Sequence, residues 1–179
     1  MIRYAITDPS TLSFEEIDKD LERFASKADM IVYRDKSNMH YARDAKIFLD
    51  HAGHFTFDKV LFHCNAELAS RLGADGVHLS STQSGQIQKA KSLGLFVVIS
   101  THTAEEAKTA EILGADMITF SPIFDTPNKG KPLGLGALKE LQGIIALPII
   151  ALGGILTEKQ IDECKSSGAS GFASIRYFQ

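Results

Sequence analysis

Apolar and polar positions along this chain alternate between two rhythms. Short, mostly apolar runs with no polar face are separated by longer stretches in which apolar residues recur at helical spacing. One apolar run repeats. Ala28-Asp29-Met30-Ile31-Val32-Tyr33 is echoed by Gly73-Ala74-Asp75-Gly76-Val77-His78-Leu79. It returns as Gly114-Ala115-Asp116-Met117-Ile118-Thr119-Phe120 and as Gly168-Ala169-Ser170-Gly171-Phe172-Ala173-Ser174. Each copy follows a helical pattern. In three of the four copies a glycine comes first and suits the position just past a helix, where positive φ is wanted. The run after it reads as a buried parallel strand. Further strands are expected at Met1–Thr7, Lys59–His63, Phe96–Ser100 and Pro148–Leu152, which makes eight in all. Repeated units in strict strand–helix alternation imply a parallel sheet with right-handed crossovers. Eight such units close into a (β/α)8 TIM barrel. The expected architecture is one α/β domain, this barrel, over residues 1–179.

The helices carry start signals. Ser13 with Glu16, Thr103 with Glu106 and Thr157 with Gln160 have capping-box spacing. After Ser13, the residues Phe14, Ile17, Leu21 and Phe24 form one apolar face. Asn65 is placed to cap the helix of Leu68, Ala69 and Leu72. Tyr41–Ala52, Ser84–Leu93 and Leu135–Gly143 read as further helices. After the eighth strand only a few residues remain before Gln179, so the barrel is expected to be shortened, with its last outer helix missing. The wall near the first and eighth strands is then expected to be poorly covered. An uncovered apolar wall implies a partner surface, and homo-oligomerisation is the expectation.

Composition narrows the function. Apolar residues make up 44% of the chain and the formal net charge is −3, so there is no basic field for nucleic acid or an anionic membrane. No apolar run approaches the roughly 20 residues that span a bilayer. The first residues, Met1 to Thr7, lack a signal-peptide layout, and cytoplasmic residence is the expectation. Cys64 and Cys164 form no CxxC pair and read as reduced thiols.

In barrels, function collects where the strands end. Arg34-Asp35-Lys36 follows the second strand, and both cations can reach one anion. After the sixth strand runs Ser121-Pro122-Ile123-Phe124-Asp125-Thr126-Pro127-Asn128-Lys129, a long loop with the reach to fold over a ligand. Gly153-Gly154 follows the seventh strand, and Ser174-Ile175-Arg176 ends the eighth. Bare N–H groups there can approach a phosphate closely. His63-Cys64-Asn65, Ser80 to Gln83 and Ser100 to Thr103 supply imidazole, thiol and hydroxyl groups but no carboxylate. Mg²⁺ wants hard oxygen anions. A softer metal at His63 and Cys64 is not expected either, because adjacent strand residues point apart. No metal site is expected, and lone histidines such as His63, His78 and His102 are more often structural than catalytic.

Taken in order, Tyr33-Arg34-Asp35-Lys36, Gly73–Leu79, Ser100-Thr101-His102-Thr103, Ser121-Pro122-Ile123-Phe124, Thr126-Pro127-Asn128-Lys129 and Ile150–Ile155 resemble the superfamily of thiamine phosphate synthase and thiazole tautomerase. The resemblance covers essentially the whole chain. It implies a ligand that is a phosphorylated thiazole or pyrimidine. In the synthase, a hydroxymethylpyrimidine diphosphate is joined to a thiazole phosphate and pyrophosphate is expelled. By that resemblance Arg34, Lys36, Lys129, Thr126, Asn128 and Ser100 would hold the diphosphate. Gly153, Gly154, Ile175 and Arg176 would hold the thiazole phosphate. The synthase also holds Mg²⁺ on two aspartates. Here those positions are Cys64, in the pair His63-Cys64, and Gln83, and a glutamine of the family is Val32. The tautomerase branch needs no such aspartates, but its histidine falls on Pro122. The resemblance therefore points first to a metal-independent, tautomerase-like enzyme without a cofactor, with His63, Cys64 and His102 as substitute acid/base groups and Ser100 as a further catalytic candidate. A synthase with altered Mg²⁺ ligands and a non-catalytic phosphate sensor are the alternatives.

Overall fold

A computed structural model describes residues 1–179. Its strands are β1 (Ile2–Ile6), β2 (Met30–Tyr33), β3 (Lys59–His63), β4 (Gly76–Leu79), β5 (Phe96–Thr101), β6 (Met117–Phe120), β7 (Ile149–Leu152) and β8 (Gly171–Ser174). All pair in parallel and in chain order. β8 returns to β1 with Ile2 opposite Gly171, which closes the barrel. The outer helices are α1 (Ile17–Ala25), α2 (Tyr41–Ala52), α3 (Ala66–Leu72), α4 (Ile87–Ser92), α5 (Ala104–Ile112), α6 (Gly134–Gln142) and α7 (Glu158–Ser166). None is long and apolar enough to cross a membrane.

Strand residues alternate between two apolar layers, as their period of two requires. Met30 and Val32 of β2 face the barrel interior with Tyr4, Ile6, Leu61, Val98, Met117, Ile150 and Ala173. Ile31 and Tyr33 face outward and pack beneath Leu21, Phe24 and Phe48 of the helices. The first residues of the even strands are Met30, Gly76, Met117 and Gly171. Long and absent side chains thus alternate around the barrel floor. A Cβ on Gly76 would stand 2.1 Å from the Phe96 carbonyl oxygen, and one on Gly171 would stand 2.6 Å from that of Ile2.

The aspartate of the repeated run is structural. Asp29, Asp75 and Asp116 each accept the backbone N–H of a residue in the preceding odd strand, namely Arg3, Val60 and Val97, at 2.7 Å. A carboxylate on a backbone N–H is a charge-assisted bond, and three of them pin successive strand pairs in register. The repeat's glycines behave as expected, with φ of 82° at Gly73, 89° at Gly114 and 94° at Gly168.

The caps divide. Thr157 and Gln160 form a full capping box, and Asn65 accepts the N–H of Leu68 at 2.9 Å. Thr103 accepts from Glu106, but the Glu106 carboxylate reaches back to the N–H of His102 and not to that of Thr103. The expected box at Ser13 and Glu16 does not form. Ser13 donates its N–H to Asp20, its hydroxyl accepts from Glu15, and α1 starts only at Ile17. The helix expected over Ser84–Leu93 begins instead as a 3-10 turn, Ser81–Gln86, because Ser80 and Gln83 make a capping box one turn earlier.

No outer helix follows β8. The wall beside it is nevertheless covered, which corrects the sequence expectation. A 3-10 turn, Arg176–Phe178, folds back so that the Phe178 ring stacks on Phe172 at 5.8 Å and is fully buried. Tyr177 meets Phe172 edge-on, and the Arg3 guanidinium lies 5.9 Å from both rings. The Arg23 guanidinium donates to the carbonyl of Phe178. The apolar surface invoked for self-association at this wall is thus occupied by the chain itself.

Candidate functional site

The C-terminal ends of the strands surround a cavity of ≈ 380 Å³. Its lining includes Arg34 and Lys36 after β2, His63 of β3, Ser100 and His102 at the end of β5, Thr126 and Lys129 after β6, Gly153 after β7 and Ile175 after β8. Most of the residues singled out from the sequence therefore meet in one place. Four do not line it. Cys64 opens into an adjoining hollow of ≈ 520 Å³ that shares Lys36, His63 and Ser80 with the cavity. Asn128, on the loop after β6, and Arg176, at the start of the terminal 3-10 turn, are exposed, and Gly154 is not among the lining residues.

Each element is placed for a local reason. Thr7 donates its hydroxyl to the Val32 carbonyl and accepts the N–H of Arg34 at 3.0 Å, which sets the direction of the chain leaving β2. Asp35 accepts the N–H and hydroxyl of Ser37 through one oxygen, making a tight turn that leaves Arg34 and Lys36 without an acidic partner. No carboxylate lies within 4.0 Å of Arg34, Lys36 or Lys129. Unpaired cations around one cavity create a positive potential where water is partly excluded.

The loop after β6 is fastened to the Gly-Gly turn. Ile123 and Phe124 donate N–H groups to the carbonyls of Leu152 and Gly153 at 2.9 and 3.0 Å. Gly153 and Gly154 have φ of 101° and 68°. A Cβ on Gly153 would stand 2.8 Å from Pro122 Cα, and one on Gly154 2.4 Å from the carbonyl oxygen of Asp125. Only glycine lets the loop lie this close. The amide N–H groups of Gly153, Gly154 and Ile175 donate to nothing in the chain. They leave unsatisfied donors on the side of β7 and β8.

His63, Cys64 and His78 differ from what sequence spacing suggests. Cys64 takes φ of 60°, leaves the strand, and its Sγ turns back to 3.3 Å from His63 Nε2. Adjacent residues that would point apart on a regular strand thus come together. Burial pushes the Cys64 thiol up, so it stays protonated and weakly nucleophilic near neutral pH. Burial, with Arg34 and Lys36 nearby, holds His63 down at about 4. His78 is also held down, at about 3, first by burial and then by His63 and Arg34. His102 donates from Nδ1 to the Ser121 carbonyl at 2.8 Å, since a carbonyl only accepts. Its Nε2 has no partner in the chain and, in the neutral ring, offers a lone pair.

Sequence reasoning placed Ser80, Ser81 and Ser121 at strand ends without giving them a role and read His78 as structural, yet all four line the cavity. The period of β4 holds the signal for His78: Gly76 points inward, and His78 two residues later shares its face.

The Mg²⁺ implied by the resemblance does not fit the residues present. In the hollow beside Cys64 the one carboxylate is Asp35, turned to Ser37, and Lys36 shares the space. Gln83 donates to the Cys64 carbonyl at 3.1 Å and accepts the Ser80 N–H at 3.0 Å. The carboxamide ties the β3 and β4 loops together and leaves no oxygen free for a hard cation. Asp18, His51 and His54 do gather ligand atoms within 4.8 Å of one another, but on α1, α2 and the turn after it.

A closed parallel barrel of alternating strands and helices, with unpaired cations and bare amides gathered at the C-terminal ends of its strands, places this chain among the TIM barrels. Comparison with known proteins is more specific. The sequence profile of the thiamine monophosphate synthase family matches residues 3–178, and the chain belongs to that family. The thiamine-phosphate synthase of Chlorobium phaeobacteroides is 34% identical across a 182-residue alignment covering 95% of this chain and 84% of that protein. A relative from Aquifex aeolicus is 42% identical over 115 residues, 63% of this chain but only 61% of its own length. Among solved structures, thiamine phosphate pyrophosphorylase from Pyrococcus furiosus superposes with a TM-score of 0.82 at 25% identity, covering 97% of this chain and 85% of that one.

Proposed function

We propose that this chain joins a pyrimidine diphosphate to a thiazole phosphate. The observation that carries the reading is the two-sided cavity: Arg34, Lys36 and Lys129 belong to the β2 and β6 loops, and the free amides of Gly153 and Ile175 lie just after β7 and β8. One anion group suffices for an isomerase of a monophosphate. A condensing enzyme needs a place for each phosphorylated partner. The names of the full-length relatives favour the same reaction.

In this reading the C–O bond to the diphosphate breaks, the electron pair leaves with pyrophosphate, and the carbon bonds to the thiazole nitrogen. Arg34, Lys36 and Lys129 stabilise the charge that grows on the leaving oxygen. The Ser100 hydroxyl donates to the same group. The amides of Gly153 and Ile175 orient the thiazole through its phosphate. No step is assigned to a metal ion, since the donor set around Cys64 and Gln83 does not suit Mg²⁺.

A second reading is the metal-independent thiazole tautomerase. It is favoured by one observation, the partnerless Nε2 of His102 at the cavity, which is placed to take a proton from a bound ring. Purified protein incubated with both synthase substrates, with Mg²⁺ and with EDTA, separates the two. Thiamine phosphate as product supports condensation. Isomerisation of the thiazole alone, with no condensation, replaces it by the second reading. Tight binding of thiazole phosphate without turnover leaves a sensor and refutes both enzymes.

A further inference from the structure

Tyr4 on β1, His78 on β4 and Ser100 on β5 form a hydrogen-bonded line across the barrel. Tyr4 Oη lies 3.0 Å from His78 Nδ1, and His78 Nε2 lies 3.0 Å from Ser100 Oγ. Tyr4 is fully buried, His78 is 3% exposed, and Ser100 reaches the cavity. We propose that Tyr4 and His78 are positioning residues that set Ser100 as a one-way hydrogen-bond donor, so that this wall of the cavity receives only an electron-rich oxygen, as on a phosphate or diphosphate. The ligand half of this inference rests on the anion-binding reading of the cavity; the proton arrangement does not.

Counting protons gives the direction. The Tyr4 phenol has no partner other than His78 Nδ1 and does not line the cavity. Its proton must therefore go to Nδ1, because a buried hydroxyl proton left without an acceptor is costly. Burial keeps the phenol protonated and the His78 ring neutral, so the ring carries a single proton. With Nδ1 accepting, that proton sits on Nε2 and is donated to Ser100 Oγ. Ser100 has no other partner in the chain. Its own proton is then free to point into the cavity. The reverse arrangement, Ser100 donating to Nε2 and Nδ1 donating to Tyr4, strands the Tyr4 proton in the apolar interior among Ile6, Met30 and Val32.

The same arrangement excludes Ser100 as an activated nucleophile. His78 donates to the hydroxyl and cannot take its proton. The polarised hydroxyl is instead a stronger donor toward a ligand oxygen. The stacking of the His78 ring on Tyr4, with centroids 5.6 Å apart, holds the ring in the orientation the line needs.

Two measurements test this on the full chain. In histidine-labelled protein, long-range proton–nitrogen NMR reads which ring nitrogen is protonated. The expected result is a neutral His78 with the proton on Nε2, and a mixture with the Nδ1 form in Tyr4→Phe, an isosteric change that leaves the core filled. A proton on Nδ1 in the wild type overturns the arrangement. In the second, inorganic pyrophosphate is titrated into wild type, Ser100→Ala and Lys36→Ala by calorimetry. Loss of about ten- to a hundredfold in affinity is expected for both variants. Loss in Lys36→Ala with unchanged affinity in Ser100→Ala overturns the donor role and spares the anion site. No binding by the wild type overturns the anion-binding reading, and with it the ligand half of the inference.

Discussion

Replacing Gly154 by alanine tests whether the Gly-Gly turn is what holds the β6 loop in place. Two costs are separable. Alanine at φ of 68° pays left-handed strain, about 1–2 kcal/mol. Its Cβ would also stand 2.4 Å from the Asp125 carbonyl oxygen and 2.8 Å from Phe124 Cβ, so the loop must move. Overpacking of this kind adds about 1–3 kcal/mol. Gly73→Ala is the matched control: φ there is 82°, and nothing lies within 4 Å of its added Cβ. Gly73→Ala should cost about 1–2 kcal/mol by strain alone, a drop in Tm of roughly 2–8 °C. Gly154→Ala should cost about 2–5 kcal/mol, the sum of both effects. Urea denaturation of the two variants measures the difference. Thr126 and Lys129 ride on the displaced loop, so Gly154→Ala should also weaken pyrophosphate binding while Gly73→Ala leaves it intact. Equal destabilisation of the two variants, with pyrophosphate affinity unchanged in both, refutes the reasoning.

Other outcomes follow from the same geometry. Lys36→Ala should reduce pyrophosphate affinity and flatten its salt dependence, because the lysine has no acidic partner to release; an unchanged salt slope removes it from the site. Gln83→Leu breaks the links to Ser80 and Cys64 and should cost about 1–3 kcal/mol in urea, whereas Gln83→Asp should not create Mg²⁺ binding detectable by calorimetry. Stability should fall on acidification below pH 6.5. His63 and His78 are held at about 4 and about 3 in the fold but titrate near 6.5 when unfolded, so near pH 5 unfolding takes up about two protons on them. That stability is complete above the unfolded value and is lost as pH drops toward 4. His63→Gln should lessen the fall in urea midpoint between pH 7 and pH 5, and an identical fall in wild type and variant counts against the assignment.

The barrel was legible because its repeat carries its own punctuation. Gly73, Gly114 and Gly168 follow helices, and a short, mostly buried run of the same pattern comes after each, so strand positions follow from local chemistry alone. The caps were less legible. Ser13 and Glu16 have the spacing of a capping box, but Asp20 and Glu15 compete for Ser13, a choice made by side chains that spacing does not rank. The mouth was legible through its charges, since strand ends are known once strands are known. What stayed hidden was the partnership of Tyr4, His78 and Ser100, which come from strands far apart in sequence. Cys64 and Gln83 were visible as departures from the resemblance, but not their conformation: a left-handed turn at Cys64 and a carboxamide tie from Gln83. The covered wall beside β8 was hidden for a similar reason. A terminal turn of three residues reads as too short to matter until Phe178 is seen stacked on Phe172.

The alternation of Met30, Gly76, Met117 and Gly171 makes the barrel a cup and not a tube. Its base is packed shut by Met30 and Met117, each only 4% exposed, so traffic passes through one doorway. Two ligands sharing such a vessel must queue: the deeper one arrives first and departs last. In the condensation proposed for this chain, steady-state kinetics would then be ordered, with the deeper-seated product acting as a dead-end plug when it accumulates.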